Sequence, residues 1–480
     1  MVPRMIIGVA FVALLMSSLA PAVSAQDSHY WSNAYGTRSA FMGGAVVGGV
    51  NDTSAGFYNP GALGFVDHPS LSVSADAIRL TDLHIDNGVG GAGELDSEEV
   101  EVIPLLVSGI VRFDALSDRH SFGYSFLSRN NHRMKVSARR EASEDVLTNP
   151  LAPGPESFIG QFTRNDQLVE VWAGASYAYR YSEHVAFGVT NFLALRSQDL
   201  NQTTFARAIN QNQGVSGATD STLFLDYWNT RLLWKLGVAL QYPAWRAGLA
   251  ITTPSVNLLG HGTVGADFTV SNVDIDGDGS PDTFVGDDRQ EDLDSEFRTP
   301  LSIAAGIEFE VSAATRVGLS AEWFASQSSH TVMAPESKAF TRSIGEFPAT
   351  DSRDLLRVTH GGAEVFNMGI GIEHDFSETL RGYFAFRTDH TYLEDDPGDG
   401  IPLGFSGWDL YHTTLGVNIK RESSVLGLGM VYSYGSRDDF PQLENFSSPE
   451  EAGFLTGVPG DAEARYQALT FLLGGTFYFR

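Results

Sequence analysis

The sequence predicts an all-β protein, a transmembrane antiparallel β-barrel of about fourteen strands with an N-terminal plug in its lumen. Three observations lead there. From Leu71 onward, stretches of roughly ten residues alternate apolar and polar with period two. The joins between them are by turns very short and long and acidic. No apolar run beyond the N-terminus reaches the roughly 18 residues of a spanning helix. A barrel in a membrane needs an apolar outside, a polar inside, short turns at one end and long loops at the other.

The N-terminus reads as a secretory signal over residues 1–25. Arg4 is its basic end, Met5 to Leu19 its apolar core and Val23-Ser24-Ala25 a small-x-small cleavage site. Residues 26–70 are too glycine-rich and irregular to cross a bilayer, and they form the plug. Residues 71–480 form the barrel, one domain because every strand of a closed sheet depends on its neighbours.

The first strand is Leu71–Leu80. Val102–Leu116 and His120–Ser128 turn tightly at Ser117-Asp118-Arg119, and the second of them runs on towards Arg139. A loop to Asp166 follows, then the hairpin Gln167–Tyr181 and His184–Arg196. On Val169–Tyr181 the odd positions are apolar with an aromatic end, while Glu170, Gly174, Ser176 and Arg180 fall on the even face. Thr222–Tyr242 alternates throughout, with Arg231 and Lys235 on its polar face, and the chain returns at Trp245–Ile251. The longest acidic loop spans Pro254 to Phe297. Strands then follow at Leu301–Phe309, Val317–Trp323, Ala363–Asp375, Thr379–Arg387, Leu410–Lys420, Ser424–Tyr434 and Arg465–Arg480. Tyr179, Tyr181, Tyr242, Trp245, Phe309, Tyr432 and Phe479 sit near strand ends, as interfacial girdles do.

The net charge of −28 excludes nucleic acid as a partner, since phosphate binding draws on Lys and Arg. There is no cysteine, so thiol catalysis and thiolate metal sites are excluded. No zinc-protease helix and no Gly-x-Ser-x-Gly elbow is present, and no enzyme is expected. Gly88 to Gly93 matches a dinucleotide fingerprint by letters only, because no βαβ unit surrounds it.

Asp274-Ile275-Asp276-Gly277-Asp278-Gly279-Ser280-Pro281-Asp282 follows the first part of a calcium loop. Asp274, Asp276, Asp278 and Asp282 stand at positions 1, 3, 5 and 9, and Gly279 at 6. The twelfth position is Val285 where the bidentate Glu belongs. The loop is either a Ca2+ site in an outer loop or an unliganded acidic turn, and no cofactor is otherwise required. Glu170, Arg180, Arg231, Lys235, Glu308, Arg316, Glu322, Glu373 and Arg381 fall on the inward face. They make either a salt-bridged wall around the plug or a path for an anionic head group, with Arg231 or Arg316 as its contact. Trp172 and Phe324 share that face. Phe158, Ile159 and Phe162 in one outer loop, and Leu258 and Leu259 in another, either cover the plug or first capture a hydrophobic ligand.

Before the first strand the chain reads YGTRSAFMGGAVVGGVNDTSAGFYNPGALGF. Gly36, Met42-Gly43-Gly44-Ala45, Asn51-Asp52 with Ser54-Ala55, and Tyr58-Asn59-Pro60 resemble in order and spacing the N-terminal hatch of the FadL-type outer-membrane transporters of long-chain fatty acids and aromatic hydrocarbons. Where that family continues its box with alanine, this chain has Gly61. The resemblance implies a monomeric passive channel in the bacterial outer membrane, surrounded by lipid, for hydrophobic small molecules such as long-chain fatty acids. Its gate would lie in the plug around Gly43, Gly44, Phe57, Tyr58, Asn59 and Pro60. The same architecture also serves barrels of type IX secretion that bind a protein partner, and that is the alternative.

Overall fold

The computed structural model describes residues 28–66, 68–91, 93–113, 116–148, 153–343, 350–393 and 400–479. The expected signal lies outside them. The chain runs β1 (Ser70–Asp86), β2 (Leu95–Val111), β3 (His120–Glu144), β4 (Glu156–Arg180), β5 (Val185–Asn210), β6 (Val215–Gln241) and β7 (Trp245–Thr252). It continues through β8 (Val256–Val273), β9 (Asp282–Asp294), β10 (Ser302–Ser312), β11 (Thr315–Phe324), β12 (Gln327–Met333), β13 (Thr341–Ser343) and β14 (Val358–Gly362). It ends with β15 (Val365–Asp375), β16 (Leu380–Asp389), β17 (Ile401–Pro402), β18 (Leu410–Lys420), β19 (Ser424–Pro441) and β20 (Asp461–Tyr478).

Fourteen strands close an antiparallel barrel, β20 pairing with β1 from Ser70↔Tyr478 to Asp86↔Glu463. The others extend or cap it. β6 pairs with β7 over Lys235–Gln241 and with β8 over Ala218–Leu232, so the β8–β9 hairpin prolongs the wall above β7. β12, β14 and β17 form a small separate sheet. The short turns at 181–184, 242–244, 313–314, 376–379 and 421–423 mark the periplasmic end.

Side chains pointing away from the barrel, such as Leu195, Leu236, Leu249, Ile370, Phe384, Leu415, Leu428 and Leu473, are exposed, which is the apolar belt a lipid bilayer covers. At the periplasmic rim His184, Tyr242 and Trp245 stack in sequence, with ring centroids 4.5 and 4.6 Å apart.

β3 to β6 are far longer than a membrane requires. Twenty-five residues of strand reach about 80 Å, whereas a span needs about 9–11 residues. Two sequence expectations are corrected here. Residues 156–166 belong to β4 rather than to a loop, and residues 254–297 contain the β8–β9 hairpin. The reason is an inversion of pattern along each strand. In the lower half of β4, Val171 and Tyr177 face lipid while Glu170 and Ser176 face inward. In the upper half, Phe158 and Phe162 face inward and the outward positions are Ser157, Gln161, Thr163 and Asn165. Outside the bilayer the exterior is wet, so the apolar residues move inside. There they build a core with Leu223, Leu225, Phe268, Phe284, Phe405, Trp408 and Phe440.

One seam interrupts the wall. β2 and β3 pair only from Leu106↔Leu127 to Val111↔Phe122. Above that, β2 stays on β1 and β3 stays on β4, with a register shift between Ser128 and Asn130. Higher up, the Lys135 N–H reaches the Ser97 hydroxyl at 3.2 Å.

Candidate functional site

The segment Ser28–Val66 lies against the inward faces of the strands. Its lower part is a run of turns and short helices, Ala55–Tyr58 and Pro60–Phe65. Gly43 and Gly44 carry φ of +62° and +77°, which a side chain would strain. Asn59 organises the Tyr-Asn-Pro box. Its Oδ1 accepts the Gly61 N–H at 3.1 Å, and its Nδ2 donates to the carbonyls of Val47 and, on β6, Val238, at 3.0 and 2.9 Å. Pro60 then starts the short helix without needing an N–H donor. Gly61 has a physical reason: a Cβ there would lie 2.8 Å from the Gly237 carbonyl oxygen of the wall. Alanine does not fit unless the segment shifts.

The segment is also pinned by charge. Arg38 Nη2 lies 2.5 Å from Glu308 and its Nε 2.5 Å from Glu373, all three buried. Arg316, expected as a head-group contact, belongs to this same periplasmic network. It pairs with Glu373 at 2.7 Å and Glu310 at 3.0 Å and lines neither of the cavities described next.

Above these anchors, the first described residues meet the wall in an aromatic chamber. Tyr30 stacks on Phe324 at 4.1 Å and meets Tyr392 tilted at 4.7 Å. Trp31 donates its backbone N–H to Asp389 and its indole N–H to Glu322, each at 2.8 Å. Phe57, Tyr58 and Trp172 complete the apolar lining, and Arg129, Lys235 and Arg387 bring positive charge. The cavity between them is about 50 Å³, and an adjoining one of about 40 Å³ is lined by Glu170, Arg196, Arg231, Phe297 and His360.

Among the described residues, the linings of the two cavities hold Arg129, Arg196, Arg231, Lys235, Arg298 and Arg387 against the carboxylates of Glu170 and Glu322. Glu170 is saturated by Arg196 at 3.1 Å, Arg231 at 2.5 Å and the Trp172 indole at 2.7 Å. Arg196 and Arg231 also lie over the Phe297 ring, 4.0 and 4.9 Å from its centroid. Nη1 of Arg231 and Nη1 of Arg387 are buried without an acceptor among the described residues. Lys235 is 4% exposed and makes no ion pair among the described residues; its ammonium stands 4.7 Å above the Phe57 ring. In the cap, burial together with Arg196 and His330 holds the His360 pKa down to about 3, so it brings no negative or positive charge of its own at neutral pH.

Of the residues singled out from sequence, the chamber thus unites Trp172, Phe324, Phe57, Tyr58, Gly43 and Gly44, with Arg231 next door. Phe158 and Phe162 are corrected: both are fully buried in the upper core and present nothing to the surface. Ile159, their alternate, points the other way on β4. Leu258 and Leu259 stand on β8 and are exposed on an outer groove with His261 and Val332. Tyr30, Trp31, Arg129, Arg196, Arg387 and Tyr392 escaped sequence reading. Arg129 falls on the register shift that breaks the alternation of β3, and the Tyr30-Trp31 pair was the one legible signal among them. At the far end of the β8–β9 hairpin, ligand oxygens of Asp274, Asp276 and Asp282 come within 4.8 Å of one another; Asp278 is not among them.

Solved structures share the whole architecture. A FadL homologue from Pseudomonas aeruginosa superposes with a TM-score of 0.57 at 13% identity, over 94% of this chain and 100% of that one. The toluene transporter TodX of P. putida gives 0.56 at 15%, over 93% and 99%. The toluene transporter TbuX of Ralstonia pickettii gives 0.55 at 13%, over 93% and 99%. The fold is the FadL-type barrel. No family model and no curated protein matches the chain. A closed FadL-type barrel with an apolar outer belt is a bacterial outer-membrane protein.

Proposed function

We propose that this FadL-type barrel is a passive channel for hydrophobic small molecules bearing an anionic head, gated by Ser28–Val66, with the β2–β3 seam as a sideways exit into the bilayer. The observation that carries the reading is the chamber itself, an aromatic lining crossed by cations, two of which keep one nitrogen without an acceptor among the described residues. Its apolar faces suit an acyl or aromatic body, and buried donors such as Arg231 Nη1 and Arg387 Nη1 are costly unless an acceptor arrives. Two of the structural neighbours are described as toluene transporters, which supports an apolar substrate. Lys235 and Arg129 favour a carboxylate on it.

The size of the chamber supports gating. Cavities of about 50 and 40 Å³ hold a few waters each, whereas small-molecule sites usually offer about 300 Å³ or more. A ligand therefore enters by displacing Tyr30, Trp31 and Phe57, which all belong to the N-terminal segment. Binding and segment movement are one event, and no energy source is needed beyond burial of the ligand's apolar surface.

The test is uptake of labelled oleate and labelled toluene by a host that lacks its own fatty-acid channel. Expression of the folded barrel is expected to restore uptake of oleate. A folded barrel in the membrane that passes neither compound overturns the channel reading in favour of the secretion-associated one.

A further inference from the structure

We propose that Lys235 is the specificity-determining residue of the channel and its trigger, exchanging the ring of Phe57 for the carboxylate of the incoming ligand and so freeing the N-terminal segment from the wall. This rests on the channel reading above.

Lys235 is an inward-facing residue of β6, paired across the sheet with Thr190 and Thr252, neither of which offers it a charge. A buried ammonium without a counter-ion is costly. The face of Phe57, at 4.7 Å, offsets it, together with the pull of Glu322 in the same chamber, whose carboxylate oxygens already accept from the Trp31 indole and the Ser302 hydroxyl. A cation–π contact of this kind is weaker than a charge-assisted hydrogen bond to a carboxylate. Lys235 therefore gains by leaving Phe57 when an anionic ligand reaches the chamber, and it gains nothing from a neutral hydrocarbon.

Phe57 is placed to pass that exchange on. Its ring packs edge-on against Tyr35 at 4.7 Å and Tyr58 at 5.2 Å. The Tyr58 hydroxyl accepts the Tyr35 backbone N–H at 2.9 Å. The Tyr35 hydroxyl in turn donates to the Ser128 carbonyl at 2.8 Å, and Asn33 Nδ2 donates to the same oxygen at 3.2 Å. Ser128 is the last residue of β3 before the register shift, next to the point where β3 parts from β2. One contiguous set of contacts thus joins the cation that reads the head group to the segment's grip on the seam.

The experiment compares the full-length protein with Lys235→Met and Lys235→Arg, using labelled oleate and labelled toluene as probes. Lys235→Met keeps the bulk and removes the charge. The ratio of oleate to toluene uptake is expected to fall about tenfold or more in Lys235→Met, and Lys235→Arg is expected to restore most of it. A second readout is hydrogen exchange in detergent: added oleate should speed exchange at Tyr35 and Tyr58 in the parent and in Lys235→Arg, but not in Lys235→Met. Equal loss of both substrates, or an oleate response in Lys235→Met like that of the parent, overturns the assignment. Failure of the parent to move either substrate overturns the channel reading instead, so the two failures are distinct.

Discussion

The Arg38 guanidinium lies 2.5 Å from the Glu308 carboxylate, joining the N-terminal segment to the barrel wall at the periplasmic end. Each acid it touches has other partners: Glu308 keeps Arg246 at 2.9 Å, and Glu373 keeps Arg316 and Arg381 at 2.7 and 3.1 Å. Removing Arg38 therefore loosens the segment while the wall retains its own compensation. Arg38→Met is expected to weaken the segment's hold by a few kcal/mol, towards the lower end of the roughly 3–5 kcal/mol of a broken buried pair. Single-channel conductance in planar bilayers should rise, and the heat-modifiable folded band on gels should persist. Unchanged conductance would mean that the segment does not obstruct the pore.

The upper core gives a second prediction. Phe158 is fully buried, with its ring 6.4 Å from that of Phe446 and the Arg140 guanidinium 6.0 Å from its own centroid. Phe158→Ala is expected to destabilise the extracellular half by about 3–5 kcal/mol. Protease sensitivity of the long strands should increase with or without oleate present. A variant as resistant as the parent would put Phe158 back on the surface.

What the sequence revealed follows from where the bilayer lies. Strands such as Leu410–Lys420, confined to the membrane, have one apolar face and one polar face along their whole length, and their bounds were legible. β4 and β5 were cut short at Gln167 and Arg196 because their pattern inverts there, and an inverted alternation looks like a loop. The compact, turn-rich character of the segment before β1 was legible from its glycines and from the Asn59-Pro60 turn. The chamber was only half legible. Trp172 and Phe324 announce themselves by period, but Arg129 sits on a bulge, and Tyr392 lies between strands where no period operates. Their meeting with Tyr30 is set by closure of the barrel.

The acidic hairpin tip supplies a third prediction. Asp274 is buried and its oxygens accept the N–H groups of Gly277, Asp278 and Gly279, which shapes the loop. Asp276 and Asp282 bring further carboxylates to the same point, and burial with these neighbours pushes the Asp282 carboxyl up. A hard cation would offset that repulsion. Calorimetry of the full-length protein in detergent is expected to show calcium binding with a dissociation constant on the order of 10⁻⁴–10⁻³ M, as in extracellular modules. The heat should vanish in Asp276→Ala combined with Asp282→Ala and persist in Asp278→Ala. Indistinguishable heats in the parent and the double variant would leave an acidic turn and no site.

The extracellular cap should respond to pH through Glu444. Its loop is fastened to the β1–β2 connection by the Leu443 N–H to the Gly88 carbonyl at 2.9 Å and the Phe446 N–H to the Val89 carbonyl at 2.8 Å. Leu443, Phe446, Phe454 and Leu455 sink into the upper core and carry Glu444 down with them. Burial raises its pKa from 4.5 to about 7, and the Asn445 N–H, with Thr456 and Thr204, offsets only part of the cost. Below about pH 4.5 the carboxyl is protonated in both open and closed loop, and its contribution to closure is fully present. As the pH rises towards 7, the open loop sheds the proton while the closed loop holds it, so stability is lost across that window. Above 7 the closed loop carries a buried charge. Hydrogen exchange at residues 442–460, corrected for intrinsic rates, should therefore show protection falling between pH 5 and pH 8. Glu444→Gln, which stays neutral, should flatten that dependence and leave the loop better protected than the parent at pH 8. The same pH profile in parent and variant would exclude Glu444 as its source, since no other change distinguishes the two proteins.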